Sequence, residues 1–271
     1  PYLDWFHIKH LPVDAYSHHE LKDYEGWWNY KSLPKFNTAN PKVREYIFGV
    51  ARYRIEQGAD GWRLDVPNEI DDDGFWAEFR QVVRGVNPEA YLLGEIWDAL
   101  PRWVGENHFD GLMNYPFRTA TLGLLAANWT PERYASFLKR LVDTYSLEHN
   151  LAMYTLLGSH DVERVRTMLE GDTQRVKLAS LIQFAFPGAP AIYYGDEIGL
   201  EGGKDPGCRG GFPWDSQYWD TDLRAWFQHL ARTRKQSHAL RRGDFQVLLA
   251  NDDQHAVAFA RRASQESVAV V

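Results

Sequence analysis

The chain has 271 residues, room for one large domain or two small ones. Its formal charge of −7 and isoelectric point near 5.8 give no basic footprint for nucleic acid or an anionic membrane surface. A single cysteine, Cys208, excludes an intramolecular disulfide framework and a multi-cysteine zinc site.

The hydrophobic share of 44% and charged share of 25% are those of a chain with a real core. The aromatic content is less ordinary. Eleven tryptophans, with 14 tyrosines and 14 phenylalanines, exceed what core packing alone asks for, and flat aromatic faces suit sugar rings. No apolar run reaches the roughly 18 residues of a membrane span. The richest stretch, 178–194, is broken by Ser180, Gln183, Pro187 and Pro190. The chain opens on Pro1 and not on Met, so its true beginning is expected upstream. A cytoplasmic protein is expected, with secretion left open by that same first residue.

Residues 1–39 are loop-like and aromatic, without a clear period. From residue 40 the pattern alternates. Asn40–Pro41 opens a helix that Gly58 stops. A strand follows over 61–66, a helix over 73–86, a turn at Asn87–Pro88 and a buried strand over 91–96. A shorter strand is expected at 111–114, then helices over 116–127 and 131–145, the second capped by Thr130. Residues 151–157 read as a strand, 174–186 as a helix, 189–194 as a buried strand and 223–237 as a closing helix. Short apolar strands alternating with helices predict a parallel sheet covered on both faces. The last stretch, with apolar runs at 245–249, 256–260 and 267–271, predicts the first strands of an antiparallel β domain.

Ionisable residues stand at the ends of three of these strands. They occur in Gly61-Trp62-Arg63-Leu64-Asp65, in Gly94-Glu95-Ile96-Trp97 and in Gly158-Ser159-His160-Asp161. A strand buried on both faces would not normally carry them. In a β/α barrel the strand C-termini converge on one face, where active sites are built. Asp65, Glu95 and Asp161 would then face a common pocket, with Arg63 and His160 beside them. Paired carboxylates at one site point to glycoside hydrolysis, one attacking the sugar carbon and the other donating a proton to the leaving oxygen. The plainer alternative is a set of strand-end ion pairs.

These same segments carry a resemblance. Gly61-Trp62-Arg63-Leu64-Asp65, Gly94-Glu95-Ile96-Trp97 and Gly158-Ser159-His160-Asp161 resemble the short segments after the fourth, fifth and seventh barrel strands of the α-amylase superfamily, glycoside hydrolase family 13. Leu33-Pro34-Lys35-Phe36-Asn37 and Val66-Pro67-Asn68-Glu69 resemble segments of its neopullulanase, cyclomaltodextrinase and maltogenic amylase group. So does Gly203-Lys204-Asp205-Pro206-Gly207-Cys208-Arg209, although Pro67 replaces the more usual Ala. The resemblance implies an α/β fold, the (β/α)8 TIM barrel, present here as about strands four to eight. Residues 1–39 would be the remainder of an inserted small domain, 40–243 the barrel, and 244–271 the start of the C-terminal β domain.

The resemblance also implies roles. Asp65 would be the nucleophile, Glu95 the general acid and then base, and Asp161 the residue that grips the sugar hydroxyls. Arg63 would keep Asp65 ionised, and His160 would donate to the same sugar. Trp97 and Glu69 would line the leaving-group side, Asp205 and Arg209 the other, and Trp27 or Trp28 would offer a stacking face or pack its own loop. The implied partner is an α-glucan oligosaccharide, and the full-length protein would form a homodimer through an N-terminal domain outside this chain.

No cofactor is required by this chemistry. Calcium is left open but unsupported, since Asp71-Asp72-Asp73 lacks the alternating spacing of a ligand loop and is better read as a helix cap. The pairs His7/His10 and His18/His19 read as loop histidines, and Gly202–Gly203 and Gly210–Gly211 as a flexible loop with no phosphate-cradle frame. Strands before the fourth are not found, so the 271 residues alone are expected to be poorly stable and nearly inactive, with open sheet edges. The expected activity is a retaining α-glucan hydrolase cleaving α-1,4 bonds of maltooligosaccharides, cyclodextrins or pullulan, with α-1,6 cleavage left open. The alternatives are a transglycosidase of the same superfamily and a non-catalytic sugar-binding homologue.

Overall fold

In the computed structural model, which describes residues 2–16 and 22–271, most α-helices begin where capping side chains stand in the sequence. The chain divides into two units, Pro1–Gly94 with Gly105–Phe109, and Glu95–Val104 with Asp110–Val271.

In the first unit, loops joined by isolated antiparallel bridges (Phe6 with Phe36, Ile8 with Tyr24, Gly26 with Pro34) lead to helix α1, Pro41–Glu56. Asn40 Oδ1 accepts from the Lys42 N–H at 3.0 Å, and Pro41 occupies the first helical turn, where no amide donor is missed. Strand β1, Gly61–Leu64, pairs in parallel with β2, Tyr91–Gly94. A Cβ on Gly61 would sit 2.0 Å from the Tyr91 carbonyl oxygen, so the register excludes any side chain there. Between the strands runs α2, Asp73–Val86, whose cap is Asp72, accepting from the Phe75 N–H at 3.0 Å. Phe48 of α1 packs on Phe75 and Phe79, with ring centroids 5.2 and 6.2 Å away.

Both strands are shorter than the sequence predicts. β1 ends at Leu64 because Val66 turns into the left-handed region at φ 30°. β2 ends at Gly94, which releases Glu95 from the ladder.

The second unit opens with β3, Gly111–Leu112, and α3, Tyr115–Ala126, capped by Asn114. Helix α4, Pro131–Asp143, follows the Thr130 cap as the sequence predicts. The strand expected over 151–157 is only half present. Helix α5, Leu147–Ala152, takes its first residues and β4, Tyr154–Leu156, the later ones. Ser146 caps that helix, and the Asn150 amide donates to the Val142 and Tyr145 carbonyls at 2.8 and 3.0 Å, which fixes a turn that an apolar run alone does not reveal.

β4 pairs in parallel with β5, Ala189–Ala191, across α6, Val165–Met168, and α7, Thr173–Ala185. Helices α8, Thr221–Gln236, and α9, His238–Arg242, precede an antiparallel sheet of β6, Asp244–Asn251, β7, Ala256–Ala263, and β8, Glu266–Val270. Phe117, Leu138, Val176, Phe186, Leu223 and Phe227 form the centre of this unit's core. No helix of the described residues is long and apolar enough to cross a membrane.

Two buried arginines pin the end of α7, Arg234 from α8 and Arg261 from the C-terminal sheet. Arg234 donates to the Phe184 and Phe186 carbonyls at 2.6 and 3.2 Å and to the Gly188 carbonyl. Arg261, wholly buried on β7, donates to Ala185 at 2.6 Å, Gly243 at 2.8 Å and Asp244 at 2.9 Å. Desolvation holds both guanidinium groups below their ordinary pKa. The Arg261→Met variant leaves those three carbonyls without their charged donor and should lose about 2–4 kcal/mol, read as a shift in the urea unfolding midpoint. An unchanged midpoint would show that water replaces the guanidinium without penalty.

Candidate active site

In the first unit, Asp65 follows directly on β1. Arg63, pointing from the strand itself, meets Asp65 Oδ1 through Nη1 at 2.5 Å. Val66, the next residue, holds φ 30° and ψ 57°, an uncommon conformation for a β-branched side chain and one that fixes the direction in which Asp65 leaves the strand. Pro67–Glu69 then forms a short 3-10 turn, closed by the Glu69 N–H donating to the Val66 carbonyl at 3.0 Å.

Glu69 is held from two directions. Lys35 Nζ donates to its Oε2 at 3.2 Å and to its carbonyl at 2.8 Å, and the Trp28 indole donates to Oε1 at 3.2 Å. Asp65 and Glu69 line a groove of about 440 Å3 with Trp27, Leu33, Lys35 and Phe36. Trp27 stacks on Trp28 with centroids 4.4 Å apart and planes at 11°, and the exposed ring of Trp28 stands on a backbone at φ 45°. The Trp27/Trp28 pair thus packs its own loop and presents one free face.

In the second unit, Glu95 is buried at 4% exposure immediately after β2. Trp97, half-exposed, lies flat on the buried Tyr115 ring, with centroids 3.8 Å apart and planes at 4°. The Tyr115 hydroxyl reaches Ser159 Oγ at 3.1 Å, and that oxygen accepts the Asp161 N–H at 3.1 Å. Arg118 of α3 donates to the Leu157 and Glu163 carbonyls at 2.9 and 3.0 Å, bracing both sides of the turn after β4.

That turn brings His160, Asp161, Asp205 and Arg209 together. His160 Nε2 lies 3.2 Å from Asp161 Oδ2, Arg209 Nη2 lies 3.7 Å from Asp161 Oδ1, and Arg209 Nε pairs with Asp205 at 2.7 Å. Arg209 Nε and Cys208 Sγ both donate to the His160 carbonyl, at 3.0 and 3.1 Å. Asp161 Oδ2 is enclosed yet accepts no aligned hydrogen bond from the described residues.

The other candidates resolve simply. Asp72 is a helix cap, and Asp73 pairs with His108 Nε2 at 3.0 Å. Among the described residues, no three His, Cys, Asp or Glu side chains gather as a metal group. His18 and His19 lie outside the described residues.

Sequence reasoning missed Tyr115, Ser159 and Arg118, and with them the buried pair Arg164–Asp196, joined at 3.0 Å. Asp196 had a readable signal. It follows the apolar run of 189–194, as the other carboxylates follow their strands. Burial pushes its pKa up to about 7, against the opposing pull of Arg164. The folded value lies above the ordinary 3.8, so the native state binds this proton more tightly than the unfolded chain. Stability from this group is therefore full at about pH 4 and is lost as the pH rises through about 7. Urea midpoints of wild type and Asp196→Asn, compared between about pH 4 and 8, should diverge in the variant's favour with rising pH. A constant difference would sink this assignment.

Residues 14–243 match the family model of the alpha-amylase catalytic domain. A cyclomaltodextrinase from Bacillus sp is 42% identical over 272 residues, covering 100% of this chain and 48% of the relative. Neopullulanase 2 from Thermoactinomyces vulgaris is 38% identical, covering 100% of this chain and 46% of the relative. Among solved structures, the Nostoc punctiforme debranching enzyme superposes with a TM-score of 0.94 at 39% identity, covering 99% of this chain and 58% of that one. The chain spans about half the length of the curated relatives it matches. Its strand–helix order is that of the family's (β/α)8 barrel, followed by an antiparallel C-terminal sheet. The chain belongs to the alpha-amylase catalytic-domain family, glycoside hydrolase family 13.

Proposed function

We propose that this protein is a retaining α-glucan hydrolase acting on maltooligosaccharides or cyclodextrins. The observation that carries the reading is the register of β1 and β2. Leu64 and Gly94 are paired, and the next residue along each strand is a carboxylic acid, Asp65 and Glu95. Two such groups suit a double displacement, for which their carboxyls need a separation of about 5–5.5 Å.

In this reading Asp65 attacks the anomeric carbon and forms a covalent glycosyl ester, while Glu95 protonates the departing glycosidic oxygen. Glu95 then takes a proton from water, which breaks the ester and restores both groups. Glu95 is buried, which suits a group that must act out of contact with bulk water. Asp161 would accept from sugar hydroxyls, and His160 would donate to the same ring. Trp97, flat on Tyr115, offers a rigid face to a sugar on the leaving-group side. Cyclomaltodextrinase and neopullulanase relatives support the α-glucan substrate class.

A transglycosidase would share every step up to the ester and differ only in the acceptor. Incubating the full-length protein with maltotriose and with cyclodextrin, followed by chromatography, separates the two. Hydrolysis gives net glucose and maltose, whereas transfer gives longer or rearranged sugars. Glu95→Gln should lower kcat by about 10²–10⁴-fold. Unchanged turnover would remove this site from the chemistry.

The strain at Val66 gives a second test. Val66→Gly relieves a conformation costing about 1–3 kcal/mol but frees the direction of Asp65. Its unfolding midpoint should hold or rise slightly, while kcat falls about tenfold because the nucleophile loses alignment. Equal kcat would show that the left-handed turn does not aim Asp65.

A further inference from the structure

Arg164 is fully buried, three residues beyond Asp161, and its donors reach the next loop along the chain. Its N–H donates to the Gly202 carbonyl at 3.0 Å, and Nε to the Cys208 carbonyl at 3.0 Å. Nη1 is shared between the Tyr194 carbonyl at 2.7 Å and Asp196 Oδ1 at 3.0 Å. The guanidinium carbon lies 4.5 and 4.7 Å from the ring centroids of Tyr193 and Tyr194. Asp196 touches the other side of the same construction. A Cβ on Gly158 would lie 2.5 Å from its Oδ2, so the turn carrying His160 and Asp161 begins hard against this carboxylate. Cys208 then passes the connection on, donating to the His160 carbonyl at 3.1 Å.

A buried ion pair is a poor source of net stability, because desolvation offsets most of the attraction. Its value here lies in direction. A planar guanidinium can serve acceptors on several sides at once, which an ammonium group cannot do with the same geometry.

We propose that Arg164 and Asp196 are a positioning pair, holding the Cys208–Arg209 segment against His160 so that Arg209 meets Asp161. Neither group touches the sugar, and both act through Cys208, Arg209 and Gly158. The inference rests on the reading of Asp161 as a sugar-binding residue.

The test uses Arg164→Lys and the near-isosteric Asp196→Asn in the full-length protein, with Arg261→Met as a control of equal burial that contacts neither loop. Under native conditions, alkylation of the Cys208 thiol by iodoacetamide is followed by mass spectrometry of its peptide. Release of the segment should raise that rate about tenfold above both wild type and the control. KM for maltooligosaccharides should rise roughly fivefold in the two variants, with kcat changed less. The control should lower the unfolding midpoint and leave KM unaltered. Protected Cys208 and unchanged KM in both variants, whatever their stability, would overturn the proposal. A wild type without α-glucan turnover would instead remove the hydrolase reading, and the alkylation rates would still decide whether the pair holds the loop.

Discussion

A parallel strand that stops leaves carbonyl groups facing the interior with no neighbouring strand to receive them. Burying one without a donor costs about 1–3 kcal/mol. In the second unit this constraint is met largely by arginine. Arg118 takes the Leu157 and Glu163 carbonyls, Arg164 those of Tyr194 and Cys208, Arg234 those at and just beyond the end of α7, and Arg261 those where helix meets sheet. The loops that carry His160, Asp161 and Arg209 hang from the first two of these. Packing of Phe117, Val176 and Phe186 supplies the apolar burial, but the arginines decide which way the backbone turns once a strand has ended.

The strand-end carboxylates were legible because the chemistry contradicts the local environment. A charged group at the end of an apolar run is a conflict that a single sequence displays, and Asp65, Glu95 and Asp161 were found by it. The same criterion applied after residues 189–194 would have found Asp196. The arginines were not legible, because their partners are backbone carbonyls, which carry no residue identity. Arg164 is one of them, and only the tertiary fold encloses it. The split of residues 151–157 into helix and strand was hidden for a similar reason. An apolar run is compatible with both, and the deciding bonds come from Ser146 and Asn150.

The tryptophan excess sorts into distinct uses. Trp76 and Trp103 are buried and serve packing, Trp76 against Phe75, Phe79 and Phe109. Trp28 and Trp97 instead keep an exposed face while a second ring backs them, Trp27 in one case and Tyr115 in the other. A backed ring costs little conformational freedom when a ligand settles on it, which is what separates a platform from an exposed side chain. Composition could suggest such platforms but not say which rings had a second ring beneath them.

Arg209 is divided between two carboxylates, Asp205 at 2.7 Å and Asp161 at 3.7 Å. One cation cannot neutralise both, so these three side chains together carry a net negative formal charge. A ground-state sugar, being uncharged, is indifferent to this. A ring that has begun to lose its leaving group is not, because its anomeric carbon and ring oxygen share positive charge. In the proposed reaction the uneven sharing of Arg209 therefore favours the sugar most when it is least like the bound substrate, and Asp205, by drawing the cation toward itself, leaves Asp161 the negative charge to do so.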